Sequence, residues 1–316
     1  MTRVDEFEEL RPLLFAIAYR ILGSVTEAED AVQESWLRFE ATPTVPTSTK
    51  AFLSAVVTRI AIDVLRSARH RREQYVGPWF PEPLLNDPYE DPERSAELAD
   101  SLSMAALLLL ERLSPLERAV FVLRDVFGFS FPEVASAVGR TEAACRQLAA
   151  RARRHVDEGR PRFDADRDKR DELAARFFDA FRDGDVEALR DLLAADVQMV
   201  GDGGGKAPQW ARSINGADNV ARLLVAIVEP FLRIGGIVEP QPVNGQPGAV
   251  FRDRDGKVLN TWTLDMLDNE ISMIRAVINP EKLGHMGPVA DAYAVLGEAN
   301  DARRLGGDGA TPDEPA

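Results

Sequence analysis

A chain of 316 residues, 45% of them hydrophobic, is long enough for two or three globular domains. Its single cysteine excludes an intrachain disulfide framework and its three histidines exclude a Cys/His zinc cluster, so we expect neither a structural metal nor a cofactor. No apolar run approaches the ~18 residues that span a bilayer, and the N-terminus lacks the apolar centre of a signal peptide. We therefore expect a cytoplasmic protein with no membrane partner.

Positive charge is concentrated in two short segments, although the formal net charge of the chain is -14. Residues 51–72 hold five arginines against one aspartate, and residues 140–154 hold five arginines against one glutamate. One such run is as readily a solvated helix face as a binding surface. Two runs, each on a predicted helix, favour two DNA contacts on an otherwise acidic protein.

The first predicted domain, residues 1–74, is helical. Apolar residues recur with helical spacing from residue 5 to 40, with a break at Gly23 and Ser24, and a third helix is predicted from about 50 to 70 after a loop rich in proline and threonine. Residues 75–94 contain five prolines and no periodicity, which predicts an extended linker. A second helical domain is predicted over residues 95–157.

The sequence changes character after residue 157. Helices are predicted near 168–183, 185–194 and 216–229, accompanied by the strand-like runs DVQMV, FLRIGGIVE, GAVFRD, KVLNTWTLDM and EISMIRAVI. This order predicts an α+β domain over residues 167–285 with one curved antiparallel sheet, and thus a multidomain protein in which two all-α domains precede an α+β cone. Residues 286–316 are predicted to form a partly disordered tail.

A helix-turn-helix is the strongest local signal. Residues 131–138 fit a short helix, Gly139 supplies the turn, and Thr141 can cap the next helix. The second helix would present base-reading side chains near its start and phosphate-binding arginines further along. The predicted contacts are Arg140, Thr141, Glu142, Arg146, Gln147, Arg151, Arg153 and Arg154. A packed helical hairpin without DNA binding is the alternative for this segment.

The segments TEAEDAVQESWLRF and AFLSAVVTRIAIDVLRSARHRRE, followed by the helix-turn-helix, resemble the sigma-2 and sigma-4 domains of extracytoplasmic-function sigma factors. The resemblance implies RNA polymerase core enzyme and promoter DNA as partners, with the helix-turn-helix on the -35 element. It places core binding on Asp30, Gln33, Glu34 and Leu37. It places the -10 contacts on Arg59, Asp63, Arg66, Arg69, Arg71 and Arg72. Many family members carry Asn near Arg59, so base specificity at -10 does not transfer.

The remaining half, beginning ARFFDAFRDGDVEALRDLLAADVQMVGDGGGK, resembles the SnoaL-like cone of the nuclear-transport-factor-2 superfamily, which one group of sigma factors carries as a fusion. The motifs WFPEP, GDGGGK and INPEKL extend this resemblance. We expect GDGGGK and INPEKL to lie at one rim of the cone, where the exposed side chains of Asp202, Lys206, Glu281 and Lys282 would meet the sigma-2 domain or the WFPEP linker and so regulate the sigma domains. The regulatory residues would be Trp79, Pro81, Asp202, Gly203, Gly204, Gly205, Lys206, Asn279, Pro280, Glu281 and Lys282. A fused regulatory domain makes a separate membrane anti-sigma factor less necessary, and the sequence does not require one.

Two alternatives stay open: a small-molecule ligand in the cone, and a helix-turn-helix regulator that needs no polymerase. Related cones catalyse reactions with acids, histidine and tyrosine, but this one has a single histidine, His285, and no tyrosine between Tyr89 and Tyr293, so we expect no catalytic residues. A small-molecule ligand in the cone is left open, with Asp202, Lys206, Trp210, Arg212, Trp262 and Asp265 as candidate lining residues. The other alternative is a ligand-responsive helix-turn-helix repressor or activator, although two basic helices joined by a linker suit two promoter elements better.

Overall fold

The computed structural model describes residues 2–159, 167–208 and 213–307. It has two compact units, of which the first comprises residues 1–75 and 80–161 and the second comprises residues 76–79 and 162–316. Four residues of the predicted linker therefore belong to the C-terminal unit.

Three helices open the first unit: α1 (Arg3–Leu22), α2 (Val25–Ala41) and α3 (Thr49–Glu73). Helix α1 begins with a capping box between Thr2 and Asp5 and ends at Gly23, whose φ of 69° places it in the left-handed region. Ser24 then caps α2 by accepting a hydrogen bond from the Glu27 amide. The predicted break between the two helices is confirmed.

Five further helices complete this unit: α4 (Ser95–Leu102), α5 (Met104–Leu110), α6 (Pro115–Phe121), α7 (Phe131–Val138) and α8 (Glu142–Gly159). Residues Val122–Val126 continue α6 as a short π-helix. Helices α6 and α7 each begin with a serine capping box and a proline in the first turn, so their starting points are set locally.

A single hydrophobic core runs through all of the first unit. Buried residues of α1 and α3, such as Ile17 and Val57, belong to the same cluster as Val120 of α6 and Val134 of α7. The segment between α3 and α4 contributes Leu84 to this core, and Phe80 of the same segment is also buried. This differs from the prediction of two separate helical domains joined by an extended linker, because the apolar linker residues pack inward.

The second unit contains α9 (Arg167–Asp183), α10 (Val186–Leu192), β1 (Leu193–Asp202), β2 (Ile214–Asn215), α11 (Ala217–Arg233), β3 (Ile237–Pro240), β4 (Gly248–Arg252), β5 (Val258–Leu267), β6 (Glu270–Val277) and α12 (Ala292–Gly307). The six strands form one sheet in the order β2-β1-β6-β5-β4-β3. An aromatic cluster on the sheet includes Phe181, Phe251 and Trp262, with 4.4 Å between the centroids of the last two rings.

Three predictions for this unit need correction. The sheet is mixed rather than antiparallel, because β1 and β6 are parallel. A tight turn can join only antiparallel neighbours, whereas the long stretch of chain between β1 and β6, which includes α11, allows them to run in the same direction. In FLRIGGIVE the first three residues end α11, and the strand begins only at Ile237, after Gly235 with a φ of 85°. The predicted tail contains α12, while residues after 307 lie outside the described part.

Candidate functional site

Helices α7 and α8 form the predicted helix-turn-helix. Gly139 ends α7 with a φ of 64°, a left-handed conformation that suits glycine. The Thr141 hydroxyl then accepts a hydrogen bond from the Ala144 amide at 3.2 Å, which caps α8. The turn and the cap predicted from the sequence are therefore both present.

The first turns of α8 present three exposed polar side chains, those of Glu142, Arg146 and Gln147. The Arg146 guanidinium is 3.2 Å from the Glu142 carboxylate and lies 4.3 Å above the centre of the Phe131 ring. These contacts hold Arg146 along the outer face of the motif, where a recognition helix meets base edges.

The arginines in the rest of α8 differ in their partners. Arg151 pairs with Glu117 at 2.8 Å and Arg153 pairs with Asp125 at 2.7 Å, whereas Arg154 is exposed and has no ion pair within the described residues. Arg140, in the turn, donates to the Gly139 carbonyl. Two of the three arginines predicted to contact phosphate are therefore already paired with a carboxylate in this structure.

The two carboxylates differ in acidity. Burial raises the pKa of Asp125 above its usual value, and the Arg153 guanidinium opposes this only in part. Burial alone would also raise the pKa of Glu117, but hydrogen bonds from Arg151 and Ser114 hold that pKa below its usual value. Glu117 is therefore the more firmly charged partner, and Asp125 is the one whose charge is disfavoured.

Helix α3 carries the predicted -10 residues, and Arg59 has an unexpected position among them. It donates to the carbonyls of Ala137, at 2.9 Å, and Ser136, which lie at the end of α7. Helix C-termini expose such carbonyls and attract cations. Asp63 and Arg66 form an exposed ion pair at 3.1 Å, while Arg69, Arg71 and Arg72 lie on α3 with side chains outside the described part.

The predicted core-binding residues share the outer face of α2. Asp30 and Gln33 are exposed, Leu37 is 50% exposed, and Glu34 pairs with Arg38 at 2.8 Å. An exposed leucine among acidic and amide side chains gives this face both apolar and charged contact points.

Two buried arginines and one glutamate were missed from the sequence. Arg20 of α1 is fully buried and donates to Asp87, to Ser101 and to the Leu98 carbonyl. Arg118 of α6 donates to the Arg20 carbonyl at 2.9 Å and so extends this network. The sequence offered one weak signal, which was a charged residue within the apolar run of α1.

The missed glutamate lies in the WFPEP motif. The Glu82 carboxylate accepts from the Ser24 hydroxyl and from the Val25 amide, both at 2.7 Å, at the start of α2. An anion is stabilised at a helix N-terminus by the free amides and the helix dipole. The motif thus fixes the connecting segment to α2.

Residues of the three sequence motifs meet within the second unit. Lys282 donates to the Asp202 carboxylate at 2.6 Å, and its ammonium lies 4.4 Å above the centre of the Trp79 ring. Asp202 is fully buried and Lys282 is 7% exposed, so the prediction that both are exposed is wrong. Their charges neutralise each other, which allows both to be buried.

Backbone contacts organise the rest of this cluster. The Asp202 carbonyl accepts from the amides of Ile278 and Asn279, at 2.8 and 2.9 Å. Gly204 and Gly205 have φ angles of 57° and 71° and form the turn that returns the chain to Lys206, which pairs with Glu281. Gly203 accepts from the Lys206 amide. Pro280 begins the short helix that contains Lys282.

The proposed regulatory residues and pocket candidates do not all lie together. Pro81 belongs to the first unit. Trp262 lines a cavity in the second unit, but Asp265 is bonded to Gln246 and Arg275 and is not part of that lining. Trp210 and Arg212 lie outside the described residues. Within the described part, no helix is long and apolar enough to cross a bilayer.

Comparisons with known proteins agree with this arrangement. Residues 7–71 match the family model for sigma-70 region 2, and residues 103–156 match that for sigma-70 region 4. The ECF RNA polymerase sigma factor SigJ of Mycobacterium tuberculosis is 38% identical over 88% of this chain and 92% of its own length. The probable ECF RNA polymerase sigma factor SigI of the same species is 30% identical over 86% of this chain and 92% of its own length.

A solved structure extends the similarity to the C-terminal unit. The crystal structure of M. tuberculosis SigJ superposes with a TM-score of 0.69 at 34% identity, covering 89% of this chain and 98% of that one. The helical unit with its helix-turn-helix and the α+β unit behind it are thus matched in one relative. The chain belongs to the extracytoplasmic-function family of RNA polymerase sigma factors.

Proposed function

We propose that this sigma factor directs RNA polymerase core enzyme to promoters whose -35 element is read by α8 and whose -10 element is opened by the second half of α3. The exposed start of α8 supports the first assignment, and the arginines on α3 support the second. The outer face of α2 is the proposed polymerase contact. Because the polymerase and the chromosome share the cytoplasm, we place the protein there.

The first unit is a closed form of the two DNA-binding regions. The observation that carries this is the packing of α3 against α7, with Arg59 bonded to the end of α7. The -10 and -35 elements lie roughly 25 base pairs apart, about 85 Å at ~3.4 Å per base pair. While α3 packs against α7, α3 and α8 cannot reach both promoter elements at once. Binding to polymerase therefore opens the first unit. The free protein, which is closed, binds promoter DNA weakly.

The C-terminal unit regulates this opening through the connecting segment. Residues 76–79 belong to that unit by their packing, with Trp79 under the Lys282 ammonium and Val76 beside Gly205. The next residues along the chain, including Phe80 and Glu82, pack in the first unit. A change in how the C-terminal unit holds Trp79 is therefore transmitted along the chain that joins α3 to α4.

Regulation, rather than catalysis, is the proposed role of the C-terminal unit. The described residues that line the cavity beside Trp262 include no Asp, Glu, His, Lys, Cys or Tyr, and general acid-base chemistry depends on such groups. A fused regulator also makes a separate anti-sigma factor less necessary.

Core-dependent transcription in vitro tests this proposal. The full chain and a chain ending before Arg167 would be compared on a panel of promoters, with core enzyme alone as the blank. We expect initiation that requires the sigma factor, and a marked change in promoter response on truncation with core binding retained. Specific binding to a palindromic duplex without polymerase, together with no core-dependent initiation, would support the repressor alternative instead.

A further inference from the structure

An aromatic ring of the helix-turn-helix contacts the arginine near the start of α8. The guanidinium carbon of Arg146 is 4.3 Å from the centre of the Phe131 ring. A guanidinium within about 6 Å of a ring centre is attracted by the negative face of the ring. Phe131 is the first residue of α7, and Arg146 lies in the second turn of α8. The contact therefore joins the two helices of the motif.

The backbone that carries this ring is fixed by local hydrogen bonds. Ser130 forms a capping box with Glu133, which sets where α7 and therefore Phe131 begin. Arg124, in the π-helical segment that precedes α7, donates to the Phe129 carbonyl at 2.9 Å, and its guanidinium carbon is 4.8 Å from the centre of the Phe131 ring. The ring itself is half-buried against the core of the first unit. Phe131 is therefore a fixed support rather than a loose surface side chain.

Arg146 has a second contact, and the two contacts differ in what they take from the guanidinium. The pair with Glu142, at 3.2 Å, uses an N–H group. The contact with Phe131 uses the positive charge and needs no N–H donor. The Arg146 side chain is 58% exposed, and an exposed arginine ordinarily samples many rotamers. The ring therefore restricts this side chain while leaving its donors available.

A guanidinium with available N–H groups matches one base edge in particular. Guanine presents two acceptors, N7 and O6, in the major groove, and a bidentate contact from arginine to both is the commonest base-specific contact. A recognition helix brings the residues near its N-terminus to this edge. Two parallel hydrogen bonds form only in a suitable orientation of the guanidinium plane. A support that limits this orientation should therefore strengthen the preference for guanine.

We propose that Phe131 is a positioning residue for promoter recognition, which strengthens the preference for a guanine in the -35 element by holding the Arg146 guanidinium. Phe131 itself contacts no base. The inference rests on the proposed assignment of α8 to the -35 element. It differs from a role in packing, because Phe131 acts through Arg146 alone and on a single base pair.

The test is binding of the holoenzyme, formed from the full-length protein and polymerase core enzyme, to a library of -35 variants. We expect Arg146→Ala to relax a preference for guanine at one position. Phe131→Leu, which keeps an apolar side chain but removes the ring, should reduce the preference at that same position about 2- to 5-fold, the range of an exposed cation–π contact. Phe131→Tyr retains the ring and should retain the preference. In the Arg146→Ala background, Phe131→Leu should have no further effect on base preference.

A second aromatic residue of the same loop provides the matched control. Phe129 is buried, and the cation over its ring is Lys50 of α3, at 5.8 Å. Phe129→Leu should therefore lower thermal stability and leave the base preference unchanged. Far-UV circular dichroism and thermal melting check that each variant is folded, and Phe131→Met replaces Phe131→Leu if the latter is not.

The outcomes separate this inference from the function on which it rests. An unchanged base preference in Arg146→Ala, or a relaxed preference for a base other than guanine, would overturn the proposed readout by Arg146 and this inference with it. A relaxed guanine preference in Arg146→Ala, together with a wild-type preference in Phe131→Leu, would overturn the inference alone. So would a loss in Phe131→Leu that is spread evenly over all positions of the element.

Discussion

Arg59 on α3 donates a hydrogen bond to the carbonyl of Ala137, 2.9 Å away at the end of α7. The residue sits among the arginines assigned to the -10 element, yet here it joins that helix to the helix-turn-helix. A guanidinium placed on free helix carbonyls stabilises the contact by charge as well as by hydrogen bonding. Arg59 thus contributes to the proposed closed form, and Arg66, Arg69, Arg71 and Arg72 remain the proposed -10 contacts.

Replacing Arg59 with Ala should loosen the closed form. Hydrogen bonds to charged groups contribute about 1.5 to 3 kcal/mol. Because Arg59 is exposed, we expect its loss to weaken the contact between α3 and α7 by only about 1 kcal/mol. Energy transfer between dyes on α2 and α8 should fall in Arg59→Ala. The matched control is Arg66→Ala, whose partner Asp63 lies on the same helix, so the distance should not change. Equal transfer in wild type and Arg59→Ala would show that shared apolar packing alone keeps the unit closed.

Arg146 and Arg154 should respond differently to substitution. Arg146 lies at the start of α8, and Arg146→Ala should weaken -35 recognition by ~1 to 3 kcal/mol and relax base preference. Arg154→Ala should weaken binding to all sequences alike and lower the salt slope by about one counterion. Holoenzyme binding to a library of -35 variants at several salt concentrations separates the two effects. An unchanged base preference in Arg146→Ala would reassign Arg146 to the DNA backbone.

Asp125→Asn should release Arg153 for phosphate contact. Burial raises the pKa of Asp125, so its negative charge opposes folding at neutral pH, and removing it should not destabilise the protein there. The gain in the free energy of unfolding that Asp125→Asn gives should grow as pH rises from the ordinary Asp pKa to the raised pKa of Asp125 in the folded protein. We expect holoenzyme binding to promoter DNA to tighten about 2- to 5-fold, with a steeper salt dependence. Weaker binding would mean that the Asp125 pair orients Arg153 for DNA.

Glu117→Gln should show the opposite pH dependence. The folded-state pKa of Glu117 is below its usual value, so its stabilising effect is present above the unfolded pKa and is lost as pH falls through the folded value. At neutral pH the variant should be less stable by about 1 kcal/mol, since it weakens a capping box and a pair with half-exposed Arg151. Denaturant unfolding at a series of pH values measures this. A difference that persists at the lowest pH would indicate lost packing instead.

Local signals explain which parts of the fold could be predicted. Gly139 and Thr141 specify a turn and a cap through their own backbone and side-chain chemistry, so the helix-turn-helix was predicted correctly. The Arg59 contact joins α3 to α7 through Arg59 and Ser136, which are 77 residues apart in sequence, and no local pattern encodes it. The burial of Asp202 and Lys282 was missed for a similar reason, because charged residues are normally exposed and only their mutual pairing reverses this. Helix α12 was missed because its sequence resembles a tail.

The last prediction concerns Lys282, which joins Asp202 to Trp79. Lys282→Met should be destabilising by about 3 kcal/mol, because it leaves the fully buried Asp202 carboxylate without its cation. Asp202→Asn combined with Lys282→Met should recover most of that loss, since a neutral amide replaces the uncompensated charge while methionine still covers the Trp79 ring. Thermal unfolding of the wild type, the two single variants and the double variant measures the coupling between the two positions.

In vitro transcription with the same four proteins separates an effect on the stability of the C-terminal unit from an effect on regulation. If Asp202 and Lys282 regulate the sigma regions by holding Trp79, then Trp79→Ala should change promoter-dependent transcription in the same direction as truncation before Arg167. The double variant should cause a smaller change in that direction, because its methionine contacts the Trp79 ring without a positive charge. Lys206→Ala, which breaks only an exposed pair with Glu281, should have a small effect on stability and shift output in the same direction. Lys257→Ala, an exposed lysine remote in sequence from the three motifs, should leave output unchanged. Wild-type output from Trp79→Ala and the double variant would show that the cluster stabilises the C-terminal unit without controlling initiation.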